Sequence, residues 1–172
     1  MSFEEKQGLK IWWLYLITAL GIFPALAILI FDQSGPGLSE LKRMYFAPLF
    51  ALLSPFLIIY IIQRNKLKLN INEAGISYQY FPFTKLSMLS WENINRAYIR
   101  KYNALSEYGG YGVKVRLWFK FSDKAYLLND ANQGFQLELK NGKKLLFSTN
   151  KKDELELFLI NLKSKFNIQA IG

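Results

Sequence analysis

Two long apolar segments lie near the start of the chain. Positions 11–31 carry no charged residue, and as a helix this stretch would be about 32 Å long, close to the hydrocarbon thickness of a bilayer. Positions 44–62 form a second uncharged stretch, interrupted by Pro48 and Pro55, and membrane helices tolerate prolines. The pattern predicts a two-helix transmembrane hairpin over residues 11–62, with spans at 11–31 and 44–62.

Basic residues flanking these segments predict their orientation. Five Lys or Arg residues lie just outside the two segments and two lie between them, which favours a cytoplasmic tail over residues 1–10, a cytoplasmic C-terminus and a multi-pass location in the inner (cytoplasmic) membrane. Two alternatives stay open. The first segment also resembles a cleaved signal peptide, with Ala25-Leu26-Ala27 as the cleavage site, and the second could be a buried core helix.

After residue 63 the pattern changes to short stretches in which apolar and polar residues alternate. Lys66-Leu67-Lys68-Leu69-Asn70-Ile71-Asn72 is the clearest of them, and such alternation is typical of strands with one buried face. Turn residues separate the stretches. The sequence therefore predicts one mostly β domain over residues 63–172, with strands near 66–72, 76–83, 86–90, 94–102, 112–121, 125–129, 134–139 and 143–148.

The turn Asn141-Gly142 predicts a β-hairpin. A three-residue loop that ends on a left-handed Gly142 would pair Leu137 with Leu145 and Phe135 with Phe147, whereas a two-residue loop would pair Leu137 with Leu146. We prefer the first register because it matches apolar partners.

A helix is predicted at 150–166, where one apolar stripe recurs at helical spacing. The stripe consists of Leu155, Phe158, Leu159, Leu162 and Phe166. The predicted fold class is thus α+β: an N-terminal two-helix transmembrane hairpin followed by an antiparallel β-barrel or sandwich of about seven strands, closed by a C-terminal helix.

Composition narrows the chemistry that the domain can perform. The chain has no Cys and no His, which excludes thiolate chemistry, imidazole bases and Cys/His zinc sites, and we expect no metal and no cofactor. Residues 63–172 hold 18 basic and 9 acidic residues and so carry the whole net charge of +9. This charge favours contact with anionic lipid. No nucleic-acid-binding motif accompanies it, and a nucleic-acid partner is not expected.

Several motifs resemble those of uncharacterised bacterial two-span membrane proteins that carry a pleckstrin-homology-like domain. They are Leu69-Asn70-Ile71-Asn72-Glu73-Ala74-Gly75-Ile76, Ser90-Trp91-Glu92-Asn93-Ile94, Tyr98-Ile99-Arg100-Lys101-Tyr102 and Tyr108-Gly109-Gly110-Tyr111-Gly112. The resemblance extends over nearly the whole chain and implies the pleckstrin-homology-like fold. It implies no activity, and Phe147-Ser148-Thr149 departs from the family pattern, which has a glycine before the threonine.

The segment 100–112, named here the Gly–Tyr loop, is the candidate binding site. Glycines let backbone amides approach a partner closely, and basic and aromatic side chains supply cationic and stacking contacts. The alternative is a glycine-rich turn whose tyrosines pack on the sheet. The candidate binding residues are Arg100, Lys101, Tyr102, Tyr108, Gly109, Gly110, Tyr111 and Gly112.

These observations predict a membrane-anchored, noncatalytic interaction or scaffold module on the cytoplasmic face. Its partners would be the lipid bilayer that it spans and a membrane or cytoplasmic protein. Recognition of anionic lipid headgroups by the basic β domain is the alternative function. A small membrane-bound enzyme is a further one, but no pair of acids shows the local arrangement that catalysis by two carboxylates needs, so no catalytic residue is assigned.

Overall fold

The computed structural model describes residues 1–8, 15–16, 18–20, 47–117 and 120–172. The chain divides into two units, one formed by Ile11–Gln63 and the other by Met1–Lys10 together with Arg64–Gly172. Helix α1 (Ala47–Arg64) makes up most of the described part of the first unit. Most of the predicted span 11–31, and residues 44–46 of the predicted span 44–62, lie outside the described residues.

The prediction of a transmembrane hairpin is wrong. In the part of the chain that the structure describes, no helix is both long and apolar enough to cross a bilayer. Helix α1 has 18 residues and is therefore about 27 Å long, while its last turn is polar because it ends on Gln63 and Arg64. The predicted multi-pass location in the inner membrane depended on that hairpin and is corrected with it.

The second unit contains two β-sheets. The first sheet has the strand order β1-β2-β3-β4, and every neighbouring pair in it is antiparallel. Alternate residues of its first two strands are buried, as the sequence pattern over residues 66–72 predicts. Its strands are β1 (Ser2–Gly8), β2 (Lys66–Asn72), β3 (Gly75–Phe81) and β4 (Ser87–Ser90).

The second sheet has the strand order β5-β8-β9-β7-β6. A short 3-10 helix (Trp91–Asn93) leads into it from β4, and α2 (Ala104–Tyr108) lies between β5 and β6. Strands β7 and β9 pair in parallel, whereas the other neighbours are antiparallel. The strands are β5 (Ile94–Lys101), β6 (Gly112–Arg116), β7 (Lys120–Leu127), β8 (Gln133–Leu139) and β9 (Lys144–Ser148).

The predicted fold class therefore needs two further corrections. The strands form two separate sheets and not one closed barrel. The second sheet is mixed and not purely antiparallel, because β7 and β9 run in the same direction. Local alternation predicts where a strand lies but not which distant strand it joins, and for that reason the sequence alone does not reveal this parallel pair.

The β8–β9 hairpin has the predicted register. Leu137 lies opposite Leu145 and Phe135 opposite Phe147, and Gly142 has a φ of 79°. The Leu139 N–H donates to the Lys143 carbonyl at 2.8 Å and so closes a three-residue loop. The three-residue-loop prediction is confirmed.

The main core lies between the two sheets and helix α3 (Lys152–Phe166). Three leucines of the predicted stripe, Leu155, Leu159 and Leu162, are buried, while Phe166 is exposed. After α3, Asn167 adopts a left-handed conformation with a φ of 50°. The chain then returns to the second sheet, and Ile171 is buried against it.

Strand β1 is an element that the sequence analysis did not anticipate. Its inward side chains are Phe3, Glu5 and Gln7, all buried. Gln7 Oε1 accepts hydrogen bonds from Ser148 Oγ at 2.8 Å and from Asn129 Nδ2 at 2.9 Å, both in the second sheet's half of the unit. The N-terminal strand thus joins the two sheets through buried polar contacts, each of which satisfies a group that would otherwise be desolvated without a partner.

Glu5 of β1 forms hydrogen bonds with the residues just before α3. Its carboxylate accepts the Thr149 hydroxyl at 2.6 Å and the Asn150 N–H at 2.7 Å. Thr149 Oγ1 in turn accepts the Lys151 N–H at 3.0 Å. A carboxylate in this position satisfies backbone donors ahead of the helix and suits the positive end of the helix dipole.

Candidate functional site

The Gly–Tyr loop folds into the short helix α2. Asn103 precedes the helix, and its side-chain oxygen accepts the N–H groups of Leu105 and Ser106 at 3.1 and 3.0 Å, a capping arrangement typical of Asn. Gly109 ends the helix with a φ of 70°. Its N–H donates to the Leu105 carbonyl at 2.9 Å. A left-handed residue at this point explains the glycine.

Two tyrosines of this loop are buried. Tyr102 and Tyr108 have exposures of only 4% and 3%. They pack in a second apolar cluster, separate from the main core, with Ala104, Ala125, Leu127 and Leu146. Burial raises the pKa of both phenols, so both stay neutral at physiological pH. These rings stabilise the loop on the sheet and are not presented to solvent.

The Arg100 side chain is bound by other side chains of the protein. Its guanidinium donates to Tyr108 Oη and Gln136 Oε1, each at 3.0 Å, and forms an ion pair with Glu107 Oε2 at 3.0 Å. Arg116 lies 3.5 Å from the same Glu107 oxygen. Burial would raise the pKa of Glu107, but hydrogen bonds from Arg100 and the Asn103 N–H, with the charge of Arg116, hold it below its ordinary value.

The predicted binding residues therefore do not form one common surface, because they differ in burial and in the contacts that they make. Arg100 and Tyr108 meet in one hydrogen-bonded group, and Tyr102 is buried beside it. Lys101 is exposed at the end of β5, and Tyr111 is partly buried against the second cluster. Gly109, Gly110 and Gly112 all have positive φ angles, which gives each of them a conformational reason to be glycine. Partner binding by this set stays a prediction.

A groove lies between β5 and α3 in the second unit. Its volume is 330 Å³, within the range of about 300–1,000 Å³ that is usual for ligand sites. One wall is the edge of β5, and the other is α3. We name it the β5–α3 groove; its lining includes Tyr98, Ile99, Glu156, Leu159, Ile160, Lys163, Ile171 and Gly172.

In this groove, residues 170–172 of the chain already pair with the outer edge of β5. The Ala97 N–H donates to the Ala170 carbonyl at 2.7 Å, and the Gly172 N–H donates to the Ala97 carbonyl at 3.0 Å. Ile171 is thereby paired in parallel with Ala97, and its side chain is buried. The outer edge of β5 therefore accepts extended backbone.

The edge of β5 continues beyond this contact. Backbone groups of a strand alternate between its two sides, so the N–H and C=O of Ile99 point outward as those of Ala97 do. Strand β5 is the last strand on its side of the sheet. In the described part of the chain no backbone group pairs with Ile99 on that side. An unpaired edge of this kind can receive a further strand.

Helix α3 supplies the opposite wall of the groove through one exposed stripe. Glu156, Ile160 and Lys163 are spaced four and three residues apart and so lie on one helix face. The Ile160 side chain is 59% exposed and lies between the two charges. Neither Glu156 nor Lys163 forms an ion pair with another described residue. The stripe offers one apolar contact and two unpaired charges to a ligand.

The described residues offer no evident metal site. Among them, no group of three or more acidic side chains is placed to hold a metal ion. In the Gly–Tyr loop region, Glu107 and Asp123 are both paired with Arg116, and this arrangement orders the loop.

Sequence reasoning missed the groove because its parts are far apart in the chain. Ile99 and Ile160 are 61 positions apart, and neither stands in a recognisable motif. The one available signal was the apolar pair Ile168 and Ile171, which follows the helix and indicates that the chain returns to the core.

Two comparisons with known proteins, one against family models and one against curated sequences, give no match to this chain.

Proposed function

We propose that this protein is a noncatalytic interaction module that binds an extended polypeptide segment along the edge of β5. The observation that carries the proposal is the strand addition already present, in which residues 170–172 pair with Ala97. A ligand strand would bind further along the same edge and pair with the outward backbone groups of Ile99. Binding by strand addition draws its affinity from backbone hydrogen bonds and its specificity from pockets for alternate side chains.

The groove suggests the chemistry of the ligand. Alternate side chains of an added strand would face α3, as the side chain of Ile171 does. The side chain opposite Ile99 would meet Ile99, Leu159 and Ile160, which favours an apolar residue at that position. Polar neighbours in the ligand could reach Glu156 and Lys163. An apolar anchor in a pocket with a charged rim is the usual composition of a binding hot spot.

Selection from a random peptide library displayed on phage, with the full-length protein as target, tests this function. The affinity of one selected synthetic peptide is then measured for the wild type, Ile160→Glu and Leu157→Glu. Leu157 is a matched control because it is exposed on the same helix, at 64%, but does not line the groove.

We expect Ile160→Glu to weaken binding by about tenfold or more, since it places a charge at the apolar contact. Leu157→Glu should change the affinity by about twofold at most. Failure to select any binding peptide, or equal loss in both variants, would contradict the proposal.

A further inference from the structure

The outer face of the first sheet carries a cluster of three lysines. Lys6 on β1 lies directly opposite Lys68 on β2, and Lys66 lies two residues from Lys68 on the same strand. All three alternate with buried residues and point away from the core. Like charges directly opposite each other in a sheet are destabilising, so this arrangement has a cost in the free protein.

No acidic side chain in the described part of the chain neutralises this cluster. None of the three lysines takes part in an ion pair there. Glu4 lies on the same face, and its carboxylate accepts a hydrogen bond from Asn70 Nδ2 at 2.9 Å, which leaves its negative charge in place. Three lysines against this one acid keep the face net positive and open to an external anion.

Exposed apolar side chains lie beside the lysines. Phe81, which is 43% exposed, pairs with Lys66 across β2 and β3. Leu86 is 69% exposed and lies with Lys6 and Lys68 along a shallow groove of 190 Å³. Met88 on the edge strand β4 is 64% exposed. The face thus combines positive charge with an apolar border.

We propose that this face, which we name the lysine face and define by Lys6, Lys66, Lys68, Phe81, Leu86 and Met88, docks on an anionic lipid surface. Lysines near such a surface attract headgroup phosphates without a fixed geometry, and adjacent apolar side chains can enter the interfacial layer. A face that binds an acidic protein would be expected to carry arginines, whose guanidinium forks bind carboxylates in a fixed geometry, and the six residues that define the lysine face include none. The inference is independent of the β5–α3 groove.

Vesicle flotation of the full-length protein tests the proposal. The vesicles are phosphatidylcholine alone, or an equal mixture of phosphatidylcholine and phosphatidylglycerol. The test variant replaces Lys6, Lys66 and Lys68 by Gln. The control variant replaces Lys120, Lys140 and Lys143 by Gln, which removes the same charge from exposed positions elsewhere.

The wild type should bind the anionic vesicles and bind phosphatidylcholine much more weakly. The test variant should lose about a hundredfold in partitioning, given the contribution expected of each lysine near an anionic surface. The control variant should lose about tenfold or less, because its lysines lie outside the lysine face, one on β7 and two at the β8–β9 turn. A second pair tests the apolar border: Leu86→Ser with Met88→Ser should weaken binding, whereas Leu105→Ser with Leu157→Ser, equally exposed elsewhere, should not.

Three outcomes would overturn the proposal. One is equal binding to both kinds of vesicle, and another is equal loss in the test and control variants. The third is lysine-dependent binding of polyglutamate with no binding to anionic vesicles, which would assign the face to an acidic protein partner.

Discussion

Arg100 and Glu107 show that an unusual residue cluster can serve the fold. Basic and aromatic residues beside glycines predicted a binding loop, but Arg100 is held by Glu107, Gln136 and Tyr108. Two charged groups that are partly removed from water need such partners, because leaving one unpaired is costly. The same side chains that mark a candidate site in the sequence therefore stabilise α2 on the second sheet.

The Glu107 carboxylate should make stability depend on acid pH. Its pKa in the folded protein lies below its ordinary value of 4.5, so its contribution is present above that pH and is lost as the pH falls through the folded-state pKa. Glu107→Gln removes this contribution. Chemical denaturation at a series of acid pH values should show a smaller loss of unfolding free energy for the variant than for the wild type. Equal pH profiles would show that the ion pair adds nothing.

The burial of Tyr102 and Tyr108 could not be predicted from the sequence. Each tyrosine is compatible with both a stacking contact and a packed core, because its ring is apolar and its hydroxyl polar. The deciding contacts come from Ala125, Leu127 and Leu146, on strands remote in the chain. Gly109 is different, because the left-handed backbone at the helix end explains a glycine from local structure alone.

At the scale of elements, local patterns predicted most of the β domain. The β8–β9 register followed from Asn141-Gly142 and the apolar matches on either side. The C-terminal helix, predicted at 150–166, is Lys152–Phe166. Strand β1 was missed because two of its three buried side chains, Glu5 and Gln7, are polar, and the usual strand pattern expects apolar residues at those positions.

Strand β1 should contribute strongly to stability. Phe3 is 3% exposed and packs against Phe158, with the ring centroids 5.8 Å apart. Phe3→Ala should lower the free energy of unfolding by about 3–5 kcal/mol, through lost burial and the cavity left behind. Ser2→Ala, at an exposed position of the same strand, should change it by about 0.5 kcal/mol or less. Urea denaturation of both variants measures the difference, and similar values would mean that β1 is not held in the core.

At the scale of the whole molecule, the predictions from uncharged segments and from local strand patterns were the least reliable. An uncharged stretch predicted a second span over 44–62, yet no helix in the described part of the chain, α1 included, is both long and apolar enough to cross a bilayer, and α1 ends on the polar residues Gln63 and Arg64. Strand pairing across the molecule was equally hidden, since β1 pairs with β2 although residues 9–65 separate them in the sequence, and β7 pairs with β9 in parallel. Such contacts depend on long-range packing, which local periodicity does not encode.

The two sheets offer two different surfaces. The second sheet presents the open edge of β5 beside α3, which suits an extended polypeptide. The first sheet presents the lysine face, which suits an anionic surface. Neither surface coincides with the Gly–Tyr loop. If both proposals hold, the protein can bind a polypeptide with one sheet while the other sheet contacts lipid.

Hydrogen exchange measured by NMR, with and without a selected peptide, tests strand addition at β5 most directly. The outward N–H of Ile99 should exchange more slowly when the peptide is bound, because it gains a hydrogen-bond partner. The N–H groups of Tyr98 and Arg100, which face β8, should not change. Unchanged exchange at Ile99 in the presence of bound peptide would contradict the account, and new protection on another edge strand, such as β4 or β6, would move the site there.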